Sequence, residues 1–501
     1  MPNTGQKSPN CHLCRQRRVK CDLTRPACLR CTKYGVPCPG YRKEGDVVFK
    51  NQIGVLAKKK STRVSAQKRG KPKGSELLVN VSTGDICPLS SSLPLPTSSA
   101  AFVLRRFASS SHGSLQYGEL WDFLPDLYND EKDSSCLITC SDTFRQACIA
   151  NEQGLSNNRE SLLRSAKLIG AANQVMRHQE SRVADSTLLS IWLLALYELL
   201  LGDKGNESMP APPAWHTHVE GLASLIKLRG DSQFAHKRGR GLFFMAFGVV
   251  QIRSLMLDIE CPAESKQWLH MLKHQSLKND DAYFFACDVH EFMCNICTLL
   301  PQIKALATTN NNPSPLRVAE LISLFDRAEE LEEPMLSRIS QISPSPYICP
   351  IAQLGLRNVY RAARCKMWHW LIRACDIVID RDTQSEDLAF LNDKRRRGLS
   401  IISAMAEGIL EDAATVLKDE RRTSTSAYNE IYTNSNDLNS RACWMDAIRL
   451  LWPLTFTARN WTVPRGQRER ARQLLGVIGS NLGIFEARKY SGLTKPSFCV
   501  F

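Results

Sequence analysis

The sequence predicts a small cysteine-clustered module at the N-terminus, a disordered basic linker and a large all-α domain. Three observations carry that expectation. Six of the 19 cysteines fall within 28 residues, Cys11 to Cys38. Positive charge is concentrated at the start: residues 1–75 hold 19 Lys and Arg against three acids, Asp22, Glu44 and Asp46. That leaves 46 basic against 47 acidic residues in the rest of a chain whose net charge is +15. From about residue 98, apolar residues recur with helical periodicity and show no convincing strand-type alternation.

At 501 residues with 43% hydrophobic content, the chain exceeds one small module and can bury a sizeable core. The charge asymmetry describes a polyanion-binding arm on a nearly neutral body. The arm lacks the amphipathic apolar face of a membrane-surface helix, so no membrane partner is expected. Met1 to Asn10 contain no apolar signal-type stretch, which points to a reducing compartment. There, clustered cysteines favour metal over disulfides. The apolar runs Ser186–Tyr197 and Gly241–Ile252 are only 12 residues each, too short to suggest membrane spans, and read as buried helices.

The cysteines are Cys11, Cys14, Cys21, Cys28, Cys31 and Cys38, and the pattern Cys-x2-Cys-x6-Cys occurs twice, offset by 17 residues. One pattern used twice predicts a pseudo-twofold site. Tetrahedral zinc takes four ligands, so two zinc ions would need eight, and six thiolates suffice only if two of them bridge. Symmetry allows the pair Cys11/Cys28, Cys14/Cys31 or Cys21/Cys38. With both tetrahedra closed by thiolate, His12 reads as an exposed helix residue and not a ligand.

These spacings, with basic residues between the second and third cysteines and Pro26 before the fourth, resemble the fungal binuclear zinc cluster family. The resemblance implies two zinc ions bridged by Cys11 and Cys28, with Pro26 shaping the loop between the halves. Further motifs resemble the helical regulatory domain that accompanies this cluster: Phe123-Leu124-Pro125-Asp126-Leu127-Tyr128, Trp215-x2-His218-x2-Gly221 followed by Arg229-Gly230, and Trp452-Pro453-Leu454. Residues 260–430 match only in helical character.

Two zinc dications and six thiolates sum to −2, so side chains must supply the attraction for phosphate. Arg15, Arg17, Arg18, Lys20, Arg25, Arg30 and Lys33 do so, for about +4 over residues 11–38 once Asp22 is included. A short helix after Cys11-x2-Cys14 is the better candidate for the major groove, being denser in cations than its repeat. The resemblance implies that a CGG-like triplet is read by the pair three and four residues past the second cysteine, here Arg17 and Arg18. Arginine can contact guanine O6 and N7 bidentately. Arg15 and Lys20 are placed as phosphate clamps.

The expected architecture is thus a zinc-cluster DNA-binding domain (11–38), a disordered basic and Ser/Pro-containing linker (39–97), and a large all-α regulatory domain (98–501). The expected function is zinc-dependent, sequence-specific binding of double-stranded DNA that regulates RNA polymerase II transcription in the nucleus. An import receptor and transcriptional co-regulators are expected as further partners. No catalytic motif is found, and the chain is not expected to be an enzyme. The competing readings are an enzyme or ligand-binding helical protein with a basic localising arm, and a zinc-dependent RNA-binding protein for which Tyr34 and Tyr41 offer stacking surfaces.

In the linker, Lys58-Lys59-Lys60 and the Lys- and Arg-containing stretch 68–73 suit phosphate attraction and nuclear import. Ser90 to Pro96 is low in complexity. Residues 39–97 hold no sustained heptad seam, so residues 1–97 are expected to be monomeric, with any homodimer formed through the helical domain. In that domain Leu188–Leu201 is apolar nearly all round, as a central helix would be. Trp215, Val219, Leu222, Leu225 and Ile226 form one stripe on a helix ending at Arg229-Gly230. Asn310 to Pro313 marks a loop. Cys294-x2-Cys297 and His218 read as packed core residues, and Glu329, Glu330, Glu332 and Glu333 as a solvated helix face.

Overall fold

In the computed structural model the described residues are 10, 11, 13, 14, 17 and 19–40 near the N-terminus. Beyond these they are 95–107, 123–130, 135–152, 154, 158–202, 211–275, 281–308, 315–341, 350–379, 385–420 and 444–492. They fall in two units, Met1–Val48 and Phe49–Phe501. The lysine-rich tracts of the linker, Tyr41 and the Asn310–Pro313 loop lie outside the described residues.

In the first unit, helix α1 (Leu29–Lys33) follows Cys28. The Val36 N–H donates to the Cys31 carbonyl (3.2 Å) and the Gly35 N–H to that of Thr32 (3.0 Å). This paired closure requires a left-handed residue, and Gly35 supplies it at φ +68°. The buried residues here are cysteines, with Leu13, Val19 and Cys38 partly buried against them. Among the described residues no apolar core accompanies the sulfurs.

The second unit runs through α2 (Leu95–Phe107), α3 (Leu124–Asn129), α4 (Cys136–Glu152), α5 (Asn158–Val175), α6 (Gln179–Arg182), α7 (Asp185–Leu201) and α8 (Pro213–Arg229). After a 3-10 turn, Asp231–Phe234, come α9 (Lys237–Leu257), α10 (Ser265–Gln275), α11 (Asp281–Thr308), α12 (Pro315–Gln341), α13 (Pro350–Ile379) and α14 (Ser385–Glu420). The last three helices are α15 (Trp444–Arg459), α16 (Arg465–Asn481) and α17 (Phe485–Ser491). Among the described residues there is no strand. Helix α2 begins at Leu95, just ahead of the position where helical periodicity becomes legible.

Helix α7 is buried nearly all round, as its composition predicts, because α4, α5, α8, α9 and α17 all pack on it. Burying each leucine contributes ~1.5–3 kcal/mol. Helix α8 opens with Pro213 at its first position, where a missing N–H costs nothing, and closes at Gly230 (φ +60°). Its predicted stripe, Trp215 to Ile226, is buried. Helix α9 is long and apolar enough to cross a membrane by composition alone. Its Leu242, Phe243, Phe247 and Val250 are instead buried, and the helix packs on α7, α8 and α11.

A second layer is built from α11 to α14 around Phe325, Trp368, Leu371 and Ile402. Residues distant in sequence close the fold: Phe107 and Phe144 meet Trp444, and Phe107 also meets Trp192, with edge-on ring contacts of 5.4 Å for Phe144–Trp444 and 5.3 Å for Phe107–Trp192. Trp215 and Trp452, from two motifs separated by most of the domain, lie with ring centroids 5.4 Å apart.

One expectation is corrected here. Glu332 does not belong to a solvated face but is 2% exposed. Its carboxylate accepts from Arg364 Nε and Nη2, both at 2.8 Å, and from Trp368 Nε1 at 2.5 Å. Glu329 is half-buried and accepts from Lys394 (2.7 Å) and Arg397 (3.1 Å). Glu330 and Glu333 are exposed as expected. A buried carboxylate needs a partner from another helix, and sequence periodicity on α12 alone cannot show that Arg364 on α13 provides one.

Candidate metal centre

The two cysteine repeats fold alike. The Cys14 N–H donates to Cys11 Sγ (3.4 Å), and 17 residues on the Cys31 N–H donates to Cys28 Sγ (3.3 Å). Arg17 N–H to Leu13 O (2.9 Å) is matched by Tyr34 N–H to Arg30 O (3.3 Å), and Val19 N–H to Cys14 O (3.0 Å) by Val36 N–H to Cys31 O. Both repeats place a left-handed residue two positions after the third cysteine, Leu23 (φ 64°) and Gly40 (φ 79°). The sequence repeat is therefore a backbone repeat, and its helical turns aim the first two thiols of each half at one centre.

The sulfurs form two tetrads, Cys11/Cys14/Cys21/Cys28 and Cys11/Cys28/Cys31/Cys38, each with its ligand atoms within 4.8 Å of one another. Cys11 and Cys28 belong to both. Sulfur separations are 3.6 Å for Cys11–Cys28, 3.7 Å for Cys14–Cys28 and 3.8 Å for Cys11–Cys31. A zinc–sulfur bond of about 2.3 Å implies a tetrahedron edge of about 3.8 Å, which these three separations match. All six residues are buried except Cys38, which is half-buried.

Burial pushes the Cys14 thiol up to about 12, with its sulfur neighbours adding to the rise, and burial likewise raises Cys28 and Cys31. Cys38 is held below its ordinary value by backbone N–H groups of Cys28 and Gly40. A crowded set of neutral thiols is costly to ionise by itself. A divalent cation at the centre removes that cost, so metal entry replaces protons.

Of the four residues expected at a nucleic acid, Arg17 and Lys20 are exposed. Arg15 and Arg18, like His12, lie outside the described residues. The Arg17 guanidinium sits 4.5 Å above the ring centroid of Tyr34. Arg17 and Tyr34 are equivalent positions of the two repeats, so the stack bridges the halves across their pseudo-axis. One face of the aromatic residue considered above for base stacking is thereby covered. Pro26 lies in the loop between the halves, after a cis bond from Arg25.

Asp22 has a role the sequence reading missed. Its carboxylate accepts from the Thr24 hydroxyl and from the N–H groups of Leu29 (3.0 Å) and Arg30 (3.2 Å). The Thr24 hydroxyl, then the two N–H groups, hold its pKa well below the usual carboxylate range. Asp22 thus closes the first turn of α1 and ties the end of the first repeat to the start of the second. An acid directly after the third cysteine was the available signal, and it was counted only as charge.

In the helical unit, Cys294 and Cys297 are both buried on α11, where Cys294 accepts from Gln251 Nε2 (3.0 Å). His218 is buried with Nε2 3.5 Å from the Glu198 carboxylate. These are packed core positions, as expected.

Residues 10–46 match the fungal Zn(2)-Cys(6) binuclear cluster domain. A 40-residue stretch is 48% identical to the transcriptional regulatory protein moc3 of Schizosaccharomyces pombe and covers 8% of either chain. A 146-residue stretch is 25% identical to an uncharacterized protein of Emericella nidulans, over 28% of this chain and 30% of the relative. The chain thus matches less than a third of the length of either relative. No solved structure matches. The N-terminal module is accordingly a cluster domain for two zinc ions, followed by an all-helical remainder.

Proposed function

We propose that this chain is a zinc-dependent, sequence-specific DNA-binding transcription factor that acts on RNA polymerase II promoters in the nucleus. The observation that carries the reading is the pair of sulfur tetrads sharing Cys11 and Cys28, on a module matched to the binuclear cluster domain. In this reading Cys11 and Cys28 bridge the two metals, and Cys14, Cys21, Cys31 and Cys38 complete them. The cluster spans 11–38, the linker 39–97 and the regulatory domain 98–501. Similarity to a transcriptional regulatory protein supports the same direction.

Zinc fixes the two repeats, and the repeats present the cations. Arg17, held by Tyr34, and Arg18 read guanines of a CGG-like triplet in the major groove, while Arg15 and Lys20 hold phosphates and set the register. The basic residues of the linker add salt-dependent, non-specific attraction and an address for the import receptor. Co-regulators and any homodimer contact belong to the helical domain.

The test is a titration of the full-length, zinc-loaded protein against a duplex carrying one CGG triplet and against its scrambled counterpart, before and after chelation. Preference for the triplet, lost on chelation and restored by zinc, is expected. Equal affinity for both duplexes, or binding indifferent to zinc, would refute the proposal.

A further inference from the structure

Helix α10 carries two histidines one turn apart, His270 and His274, that neither the zinc cluster nor the DNA-reading face uses. Residues four apart lie on the same face of a helix. The apolar side of α10 is turned inward: Trp268, Leu269 and Leu272 are buried, and Trp268 meets Phe243 and Phe247 of α9 edge-on. That packing fixes the rotation of the helix and leaves both histidines exposed. The neighbouring Lys273 is drawn off to α11, where Asp288 (2.9 Å) and Glu291 (2.6 Å) take up its charge.

The two Nε2 atoms stand 3.0 Å apart and the ring centroids 4.3 Å apart, with the planes at 58°. A well-formed hydrogen bond puts donor and acceptor nearly in line, and two imidazoles meeting in line at this distance would hold their centroids about 5 Å apart. The nitrogens are therefore turned obliquely to the line joining them, which weakens a hydrogen bond and is what two ligands of one ion require. Imidazole nitrogen binds a transition metal at about 2.0–2.1 Å, so two such bonds at a right angle separate the nitrogens by about 2.9 Å, and at the tetrahedral angle by about 3.4 Å. The observed 3.0 Å is the spacing of adjacent positions in a tetragonal shell, the geometry of Cu(II) and Ni(II). Among the described residues neither ring has another hydrogen-bond or ion-pair partner.

We propose that His270 and His274 form a second metal site, for a Ni(II) or Cu(II) ion held by two imidazole nitrogens with water at its remaining positions. Both rings bind in the neutral form through Nε2. Affinity at nitrogen ligands rises along the divalent series to nickel and copper, while a hard ion such as Mg(II) prefers oxygen and is excluded. The pair acts as a chelate: once one nitrogen is bound, the helix holds the other at high effective concentration. An ion that binds only the folded helix stabilises it. Occupancy would tie the last turn of α10 across one helical step and strengthen a helix that packs on α11 and, through Trp268, on α9.

The test titrates the full-length zinc-loaded protein with Ni(II), which does not oxidise the cluster thiols as Cu(II) would, and measures released zinc in parallel. Saturable uptake of one Ni(II) with both zinc ions retained is expected. Binding should be at least tenfold weaker in His270→Ala and in His274→Ala, and unchanged in His178→Ala, an exposed histidine with no second histidine one turn away. Lys266→Glu, which replaces an exposed cation one turn before His270 by a carboxylate, should tighten it at least twofold. Mg(II) should not bind there. Hydrogen exchange on the unaltered protein gives a reading independent of the variants, with slowed exchange over residues 266–275 expected on saturation with Ni(II). Nickel uptake only in exchange for zinc would overturn the proposal, as would affinity unchanged in the His270 and His274 variants or protection absent from α10.

Discussion

Replacing one cysteine at a time separates the shared sulfurs from the terminal ones. Cys28 belongs to both tetrads, whereas Cys14 belongs only to the one it forms with Cys11, Cys21 and Cys28. Cys28→Ser leaves three thiolates around each metal position, while Cys14→Ser leaves the Cys11/Cys28/Cys31/Cys38 tetrad whole. Structural zinc contributes roughly 10–16 kcal/mol of apparent folding free energy per ion at neutral pH. Among the described residues the cluster has no apolar core to offset a loss of that size. Full-length Cys28→Ser is therefore expected to lose both zinc ions, and Cys14→Ser to keep one. Cys11→Ser should behave as Cys28→Ser does. The assay is elemental analysis of protein freed of loose metal by gel filtration, with chelator-release kinetics to resolve fast and slow ions. Equal zinc loss from the Cys14 and Cys28 variants, or a single zinc in the unaltered protein, would refute the shared-sulfur reasoning.

Other perturbations test the DNA-reading face and the helical core. Arg17→Ala should cost ~1–3 kcal/mol in DNA affinity and relax the preference for guanine, whereas Lys20→Ala should weaken all sequences alike; equal losses on CGG-bearing and scrambled duplexes for the Arg17 variant would contradict the assignment. Glu332→Gln strands the Arg364 guanidinium in the core and should destabilise the helical unit by ~3–5 kcal/mol in urea unfolding, and a loss under ~1 kcal/mol would show the pair to be dispensable. His290, hydrogen-bonded to Gln251 Oε1 at 2.5 Å and packed on Phe244 and Phe247, is pushed by burial from 6.5 down to about 4. Its neutral form is the folded one, so the unfolded chain takes up the proton first and stability falls as pH drops from about 6.5 toward 4. The expected loss by pH 5 is ~2 kcal/mol, and a His290→Gln variant should show a correspondingly shallower decline in urea midpoints between pH 7.5 and 5.

The sequence by itself determined the features that local patterning controls. Cysteine spacing fixes which thiols can reach a common centre, because a Cys-x2-Cys step spans one helical turn, and the 17-residue offset reappears in three matched hydrogen bonds of the backbone. Helical periodicity likewise foretold α7, α8 and the end of α8 at Gly230, since burial of a stripe and a left-handed stop are written in consecutive residues. Tertiary structure decided what depends on partners remote in the chain. Arg17 was legible as a cation but not as the partner of Tyr34, although the repeat pairs the two positions. Asp22 gained its role from N–H groups seven and eight residues away, in the next repeat. Glu332 looked solvated among its acidic neighbours until Arg364 and Trp368 were brought to it from another helix. Arg229 and Asp185 pair only because the end of α8 packs against the start of α7, and no periodicity in one helix encodes where the end of another will lie.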